Sequence, residues 1–196
     1  MNIDKILQKA IATHKEGKLN EAENFYRSIL EVETDHLQVN NNLGELLCSV
    51  GKFVEAEILY KKIIKSKPDH FNAHNNLGAI LLKLNRSAEA EIIFRKIIDL
   101  KPDFAEAHNN LGVSLKKLDR LEEAERSFNN AIKIEPDYTG AHDNLHNVVL
   151  QKKLLSTLKI NKNKKKNPLI NLNPNPFIFK REVETELVSN LYKLNT

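Results

Sequence analysis

FNAHNNLGAILLKLNRSAEAEIIFRKIIDLKPDF, residues 71–104, decides the architecture of this 196-residue chain. Its first half carries His74, Leu77, Gly78, Leu81 and Leu84, an i, i+3, i+4, i+7 stripe that predicts an amphipathic helix. Its second half repeats that spacing with Ala90, Ile93, Phe94, Ile97 and Ile98. Residues 85–87 join the two, and Pro102 stops the second helix because proline cannot extend it.

Working outward, the same unit recurs. Asn-Asn-Leu-Gly stands at 41–44, 75–78 and 109–112, and an altered copy, Asp-Asn-Leu-His, stands at 143–146. Pro68, Pro102 and Pro136 keep the 34-residue step, as do Ala22, Ala56, Ala90 and Ala124, and Tyr26, Tyr60, Phe94 and Phe128. The units are 3–36, 37–70, 71–104 and 105–138, with a partial fifth unit, 139–160, as a capping helix. A period of this length is the signature of a solenoid. Gly17, Gly51, Asn85 and Asp119 close the first helix of each unit; these types tolerate the left-handed backbone that a helix end often needs. Gly44, Gly78 and Gly112 sit inside helices, where glycine costs about 1 kcal/mol relative to alanine. The repetition implies close approach of the paired helix, near the Ala56, Ala90 and Ala124 row.

This pattern resembles the tetratricopeptide repeat family over residues 3–151. Leu111-Gly112, Leu115, Ala124, Phe128, Ala131 and Pro136 carry the likeness most fully. Two departures stand out. The family's aromatic near the start of the first helix is replaced by Asn40, His74, His108 and His142, and Thr34 stands in place of the first proline. The resemblance implies an all-α, right-handed superhelical solenoid of stacked antiparallel helix pairs. Its first helices line a concave groove that holds peptides.

The groove is the candidate site. Asn42, Asn76, Asn110 and Asn144 precede the Leu of each unit and should lie where the core meets the groove. An amide offers an acceptor and two donors, a set that suits a peptide backbone. Packed helices lie about 8–10 Å apart, and an extended peptide advances about 3.3 Å per residue. One Asn per repeat would therefore meet about every third residue of the peptide. This ladder resembles that of the repeat arrays of O-linked N-acetylglucosamine transferases. The alternative role for these amides is to brace neighbouring repeats. Asn41, Asn75 and Asn109, one position earlier, are expected to be exposed and join the candidate surface. Lys83 and Lys117 are candidates for an acidic side chain or a C-terminal carboxylate, against a plain role at a helix end.

Catalysis and metal binding find no support. His74, His108 and His142 recur every 34 residues, too far apart for one zinc ion at about 2.0–2.1 Å from each nitrogen, so packing between helices is the expected role. No His-Glu-x-x-His, phosphate-binding glycine loop or Gly-x-Ser-x-Gly occurs. The chain reads as a non-enzymatic protein without cofactor or metal. Cys48 is the single cysteine, which excludes an intramolecular disulfide and fits a reducing, cytoplasmic setting; a spectator role is expected for it. No signal sequence or membrane span is expected.

Net charge is +4, but it is unevenly spread. Residues 152–196 hold ten Lys/Arg and three Glu, net +7, whereas residues 1–151 hold 20 and 23, net −3. The array is thus mildly acidic, and nucleic acid is a poor candidate partner. Residues 161–180 read as a basic, then Pro-containing, disordered linker and 181–194 as a short amphipathic helix. Asn-Pro-Phe-Ile at 175–178 with Arg-Glu-Val-Glu-x-Glu-Leu at 181–187 resembles the join in bacterial proteins that carry repeats before an iron/2-oxoglutarate oxygenase domain. Two functions are therefore expected: a scaffold for protein or peptide partners, or the substrate-recruiting part of a larger enzyme of glycosyltransferase or oxygenase type.

Overall fold

The computed structural model describes residues 2–164, with side chains through Leu158. Among these residues are nine helices and no strand: α1 (Ile3–Lys15), α2 (Leu19–Leu30), α3 (Leu37–Ser49), α4 (Phe53–Ser66), α5 (Phe71–Lys83), α6 (Ser87–Leu100), α7 (Ala105–Lys117), α8 (Leu121–Ile134) and α9 (Thr139–Lys164). The chain divides into two units, Met1–Leu155 and Ser156–Thr196. The first holds the eight paired helices and most of α9. In the second, only the end of α9 is described; it runs into the stretch expected to be a linker. The rest of that linker and the expected helix 181–194 lie outside the described residues.

Local chemistry sets each joint. Gly17 and Gly51 adopt φ of 76° and 78°, and Asn85 and Asp119 adopt 59°. These are the four left-handed positions anticipated from the residue types. Lys67, Lys101 and Glu135 close α4, α6 and α8 with φ of −133°, −144° and −130°. Each precedes a proline, whose ring pushes its neighbour out of the helical region. The first unit has Thr34 instead, and its chain leaves α2 through Glu31 with helical dihedrals.

Helices α1 and α2, α3 and α4, α5 and α6, and α7 and α8 pack as pairs, and each pair packs on the next. The core is one ribbon: Tyr26, Tyr60, Phe94 and Phe128 are all buried, as are Ala22, Ala56, Ala90 and Ala124. What faces the helix glycines differs from expectation. A Cβ added at Gly44, Gly78 or Gly112 would lie 2.8, 2.6 or 2.5 Å from the ring of Tyr60, Phe94 or Phe128. The glycines clear space for a ring, not for the alanine row. A flat ring reaching from the second helix fills more volume than an alanine, so it is the ring that needs the missing Cβ.

Two further devices repeat with the unit. His74, His108 and His142 donate from Nε2 to the carbonyl oxygens of Pro68, Pro102 and Pro136 at 2.9, 2.9 and 2.8 Å. Asn40 does the same to Thr34 O at 3.1 Å. These side chains therefore do more than pack: they tie the turn between repeats to the helix that follows, which satisfies a carbonyl left open by the proline turn. On another face, Glu23, Glu57, Glu91 and Glu125 reach forward to Lys52, Arg86, Arg120 and Lys152 of the next unit at 3.0, 2.7, 2.6 and 2.6 Å. Burial alone pushes the Glu57 carboxyl up. The hydrogen bonds from Lys61 and Arg86 outweigh it and hold the group below its usual value.

Candidate functional site

The four ladder amides occupy one register on α3, α5, α7 and α9, and all four are half-buried. Their partners fall into two sets. Asn76 Nδ2 donates to the Tyr60 hydroxyl at 3.1 Å. Asn42 stands at the Tyr26 hydroxyl, which also lies 3.4 Å from His14 Nδ1. A buried tyrosine hydroxyl needs such a partner. The next two units carry Phe94 and Phe128 at the tyrosine position, and there the amides turn elsewhere. Asn110 donates to Asn75 Oδ1 at 3.2 Å and Asn144 to Asn109 Oδ1 at 2.9 Å.

The result is a connected chain of amides. Asn144 donates to Asn109, Asn109 to Asn110 Oδ1 at 3.4 Å, Asn110 to Asn75, and Asn75 to Glu106 Oε1 at 2.8 Å. Asn75 and Asn109 are each only 6% exposed. The expectation that they stand free is therefore corrected: the inner helix of the following repeat covers them. Asn41 is half-buried and donates to Glu45 Oε1 on its own helix at 2.8 Å. Bracing is thus present at three joints: Asn76 bonds Tyr60 of the preceding repeat, Asn110 bonds Asn75 and Asn144 bonds Asn109. Asn42 stands at the Tyr26 hydroxyl of the first repeat, in the place that Asn76 takes at Tyr60. Among the described residues, no donor reaches Oδ1 of Asn76.

The two lysines also part company. Lys117 Nζ donates to Leu82 O and Asn85 Oδ1 at 3.3 and 3.2 Å, closing the end of α5 from the next repeat. Lys83 is exposed and makes no ion pair with any described residue. Cys48 is half-buried; burial and then Glu45 push its thiol up, which disfavours the reactive thiolate. Among the described residues no cluster of metal-binding side chains occurs, and no helix is long and apolar enough to cross a membrane.

Three features escaped the reading of the sequence: the tyrosine hydroxyls under the amides, the Glu–Arg/Lys ladder and the role of Glu106. The first two carried a signal, since Tyr26 and Tyr60 precede Asn42 and Asn76 by the same interval, and Glu57 and Glu91 precede Arg86 and Arg120 by the same interval. Glu106 has no counterpart in the other units and offered none.

Residues 105–138 and residues 59–92 each match the family described as tetratricopeptide repeat. The chain carries tetratricopeptide repeats. Solved structures extend the likeness along the solenoid. MamA, residues 41 to the end, from Desulfovibrio magneticus RS-1 superposes with a TM-score of 0.72 at 19% identity, over 85% of this chain and 99% of that one. A second MamA, from AMB-1, gives 0.64 at 27% identity over 71% of this chain and 76% of that one. YrrB, described as a TPR protein with an unusual peptide-binding site, gives 0.64 at 20% identity over 76% of each chain. No curated protein matches the sequence. The repeats and these neighbours place the chain among protein-interaction scaffolds. The likeness of its amide ladder to that of glycosyltransferase arrays stays with the sequence.

Proposed function

We propose that the array holds an extended polypeptide segment along the face formed by α3, α5, α7 and α9, and that it acts by binding and not by catalysis. One observation carries this reading. Asn42 and Asn76 stand at successive repeats over a tyrosine hydroxyl, and the Asn76 amide is anchored through its nitrogen at 3.1 Å. An amide held by its nitrogen keeps its oxygen as an acceptor of fixed direction, which suits a peptide N–H. YrrB, with its peptide-binding site, supports the reading by analogy of fold.

The test begins with peptides selected from a phage-displayed random library on the whole chain. Affinity of the selected peptide is then compared for the chain and for the Asn42→Ala/Asn76→Ala double variant. A loss of about tenfold or more, equivalent to about 1.4 kcal/mol, is expected at a temperature where circular dichroism shows both proteins folded. Unchanged affinity in a folded variant sinks the groove assignment.

A further inference from the structure

The repeat offers an internal comparison at its outer corner. In the third unit, Lys101 Nζ sits 4.8 Å from the centre of the Phe71 ring and 5.3 Å from that of Phe104. The two rings meet edge to face at 5.6 Å. An ammonium over aromatic faces is attracted by their negative quadrupole. One repeat later, the positions of Phe71, Lys101 and Phe104 hold Ala105, Glu135 and Tyr138. The ring and the cation that fill the corner are both gone, and the sign of the charge is inverted.

A hollow of about 480 Å³ opens there, lined by Asp103, Phe104, Ala105, Glu106, Ile134, Glu135 and Tyr138. Two aromatic rings remain as walls. None of the three carboxylates is in an ion pair with any described residue, and Glu106 accepts only the amide of Asn75. Glu106 and Glu135 are close enough to Tyr138 to act with burial in raising its phenol.

We propose that this hollow is a pocket for a lysine or arginine side chain carried by a polypeptide partner. The third repeat supplies the precedent, since its own lysine occupies the equivalent corner. The fourth repeat keeps aromatic walls, removes the internal cation and adds acids. Carboxylates around an aromatic-walled space favour a cation with an apolar stem, because the stem covers the rings and Ile134 while the charged head meets oxygen. The mildly acidic array, net −3 over residues 1–151, attracts a basic segment at longer range. The pocket stands independently of the groove reading, although Glu106 joins it to the amide chain.

The experiment uses the full chain labelled with ¹⁵N. The probes are acetyl-Gly-Arg-Gly-amide, its lysine counterpart, its norleucine counterpart and putrescine. The arginine and lysine peptides are expected to shift the backbone amides of residues 103–106 and 134–138, and norleucine is not. Glu135→Lys transplants the arrangement of the third repeat into the fourth, and it should weaken the arginine probe at least fivefold. Glu135→Gln, which introduces no bulk, should weaken it by a smaller factor. The pocket is overturned by an absence of shifts, by equal shifts with norleucine, or by unchanged affinity in Glu135→Lys. Equal affinity for putrescine overturns the assignment to a polypeptide.

Discussion

Asn76 on α5 donates to the hydroxyl of Tyr60 on α4 at 3.1 Å, across the joint between the second and third repeats. Tyr60 is 1% exposed, so its hydroxyl depends on this contact. A buried polar group left without a partner costs about 1–3 kcal/mol, whereas removing both partners together is nearly neutral. Asn76→Ala should therefore destabilise the array by about 1–2 kcal/mol and Tyr60→Phe by about 1 kcal/mol. The double variant should lose less than the sum. Urea unfolding of the four proteins gives the coupling, and strict additivity would show that the contact contributes nothing.

Gly78 faces Phe94, whose ring tip would lie 2.6 Å from an added Cβ. Gly78→Leu forces the ring or a helix to move and should cost about 3 kcal/mol or more, at the upper end of overpacking penalties. Gly78→Ala should cost less, because Ala10 already occupies this register opposite Tyr26 in the first repeat. Calorimetric melting of both variants checks the order; a leucine variant that melts with the parent would contradict the helix pairing.

His74 is 2% exposed, donates from Nε2 to Pro68 O, and has a buried Nδ1 without a partner. Burial pulls its proton affinity down, the Pro68 carbonyl partly restores it, and Lys96 and His70 lower it further. The folded protein thus takes up this proton less readily than the unfolded chain. Its contribution is complete above about pH 6.5, the ordinary value for histidine, and is lost as pH falls below that value. His74→Asn, copying the Asn40 bond to Thr34, should flatten the fall in unfolding free energy between pH 7.5 and pH 5. An identical slope in the variant would place the acid sensitivity elsewhere.

Arg86, the residue that precedes α6, bridges Glu57 of the preceding repeat and Glu89 in the first turn of α6. The Glu57 side chain is only 9% exposed, so it relies on Arg86 and Lys61. Arg86→Ala should lower stability, because it leaves the largely buried Glu57 carboxylate to Lys61 alone. The difference should shrink as salt rises from 0.05 to 0.5 M in denaturant titrations. A salt-independent loss would assign the effect to packing of the arginine stem instead.

The array was legible because its determinants are spacings. Pro68, Pro102 and Pro136 mark helix ends by a covalent restriction, and Gly17, Gly51, Asn85 and Asp119 mark them by tolerance of positive φ. Neither needs knowledge of a neighbour. The candidate site was less legible, because burial depends on what stacks above a residue. Asn75 and Asn109 look like surface amides on their own helices, yet the following repeat covers them. For the same reason the partner of Gly78 was read as the alanine row: periodicity reports which helix approaches, not which side chain of that helix arrives first.

The amide relay from Asn144 through Asn109, Asn110 and Asn75 to Glu106 links three inner helices, whereas the first two repeats have no such thread. Opening α7 strands polar groups on both α5 and the start of α9, and opening either of those strands groups on α7. Backbone amides in this half should therefore exchange with deuterium as one slow cooperative block. Fraying then begins at α1 and α2, so the solenoid unravels from one end.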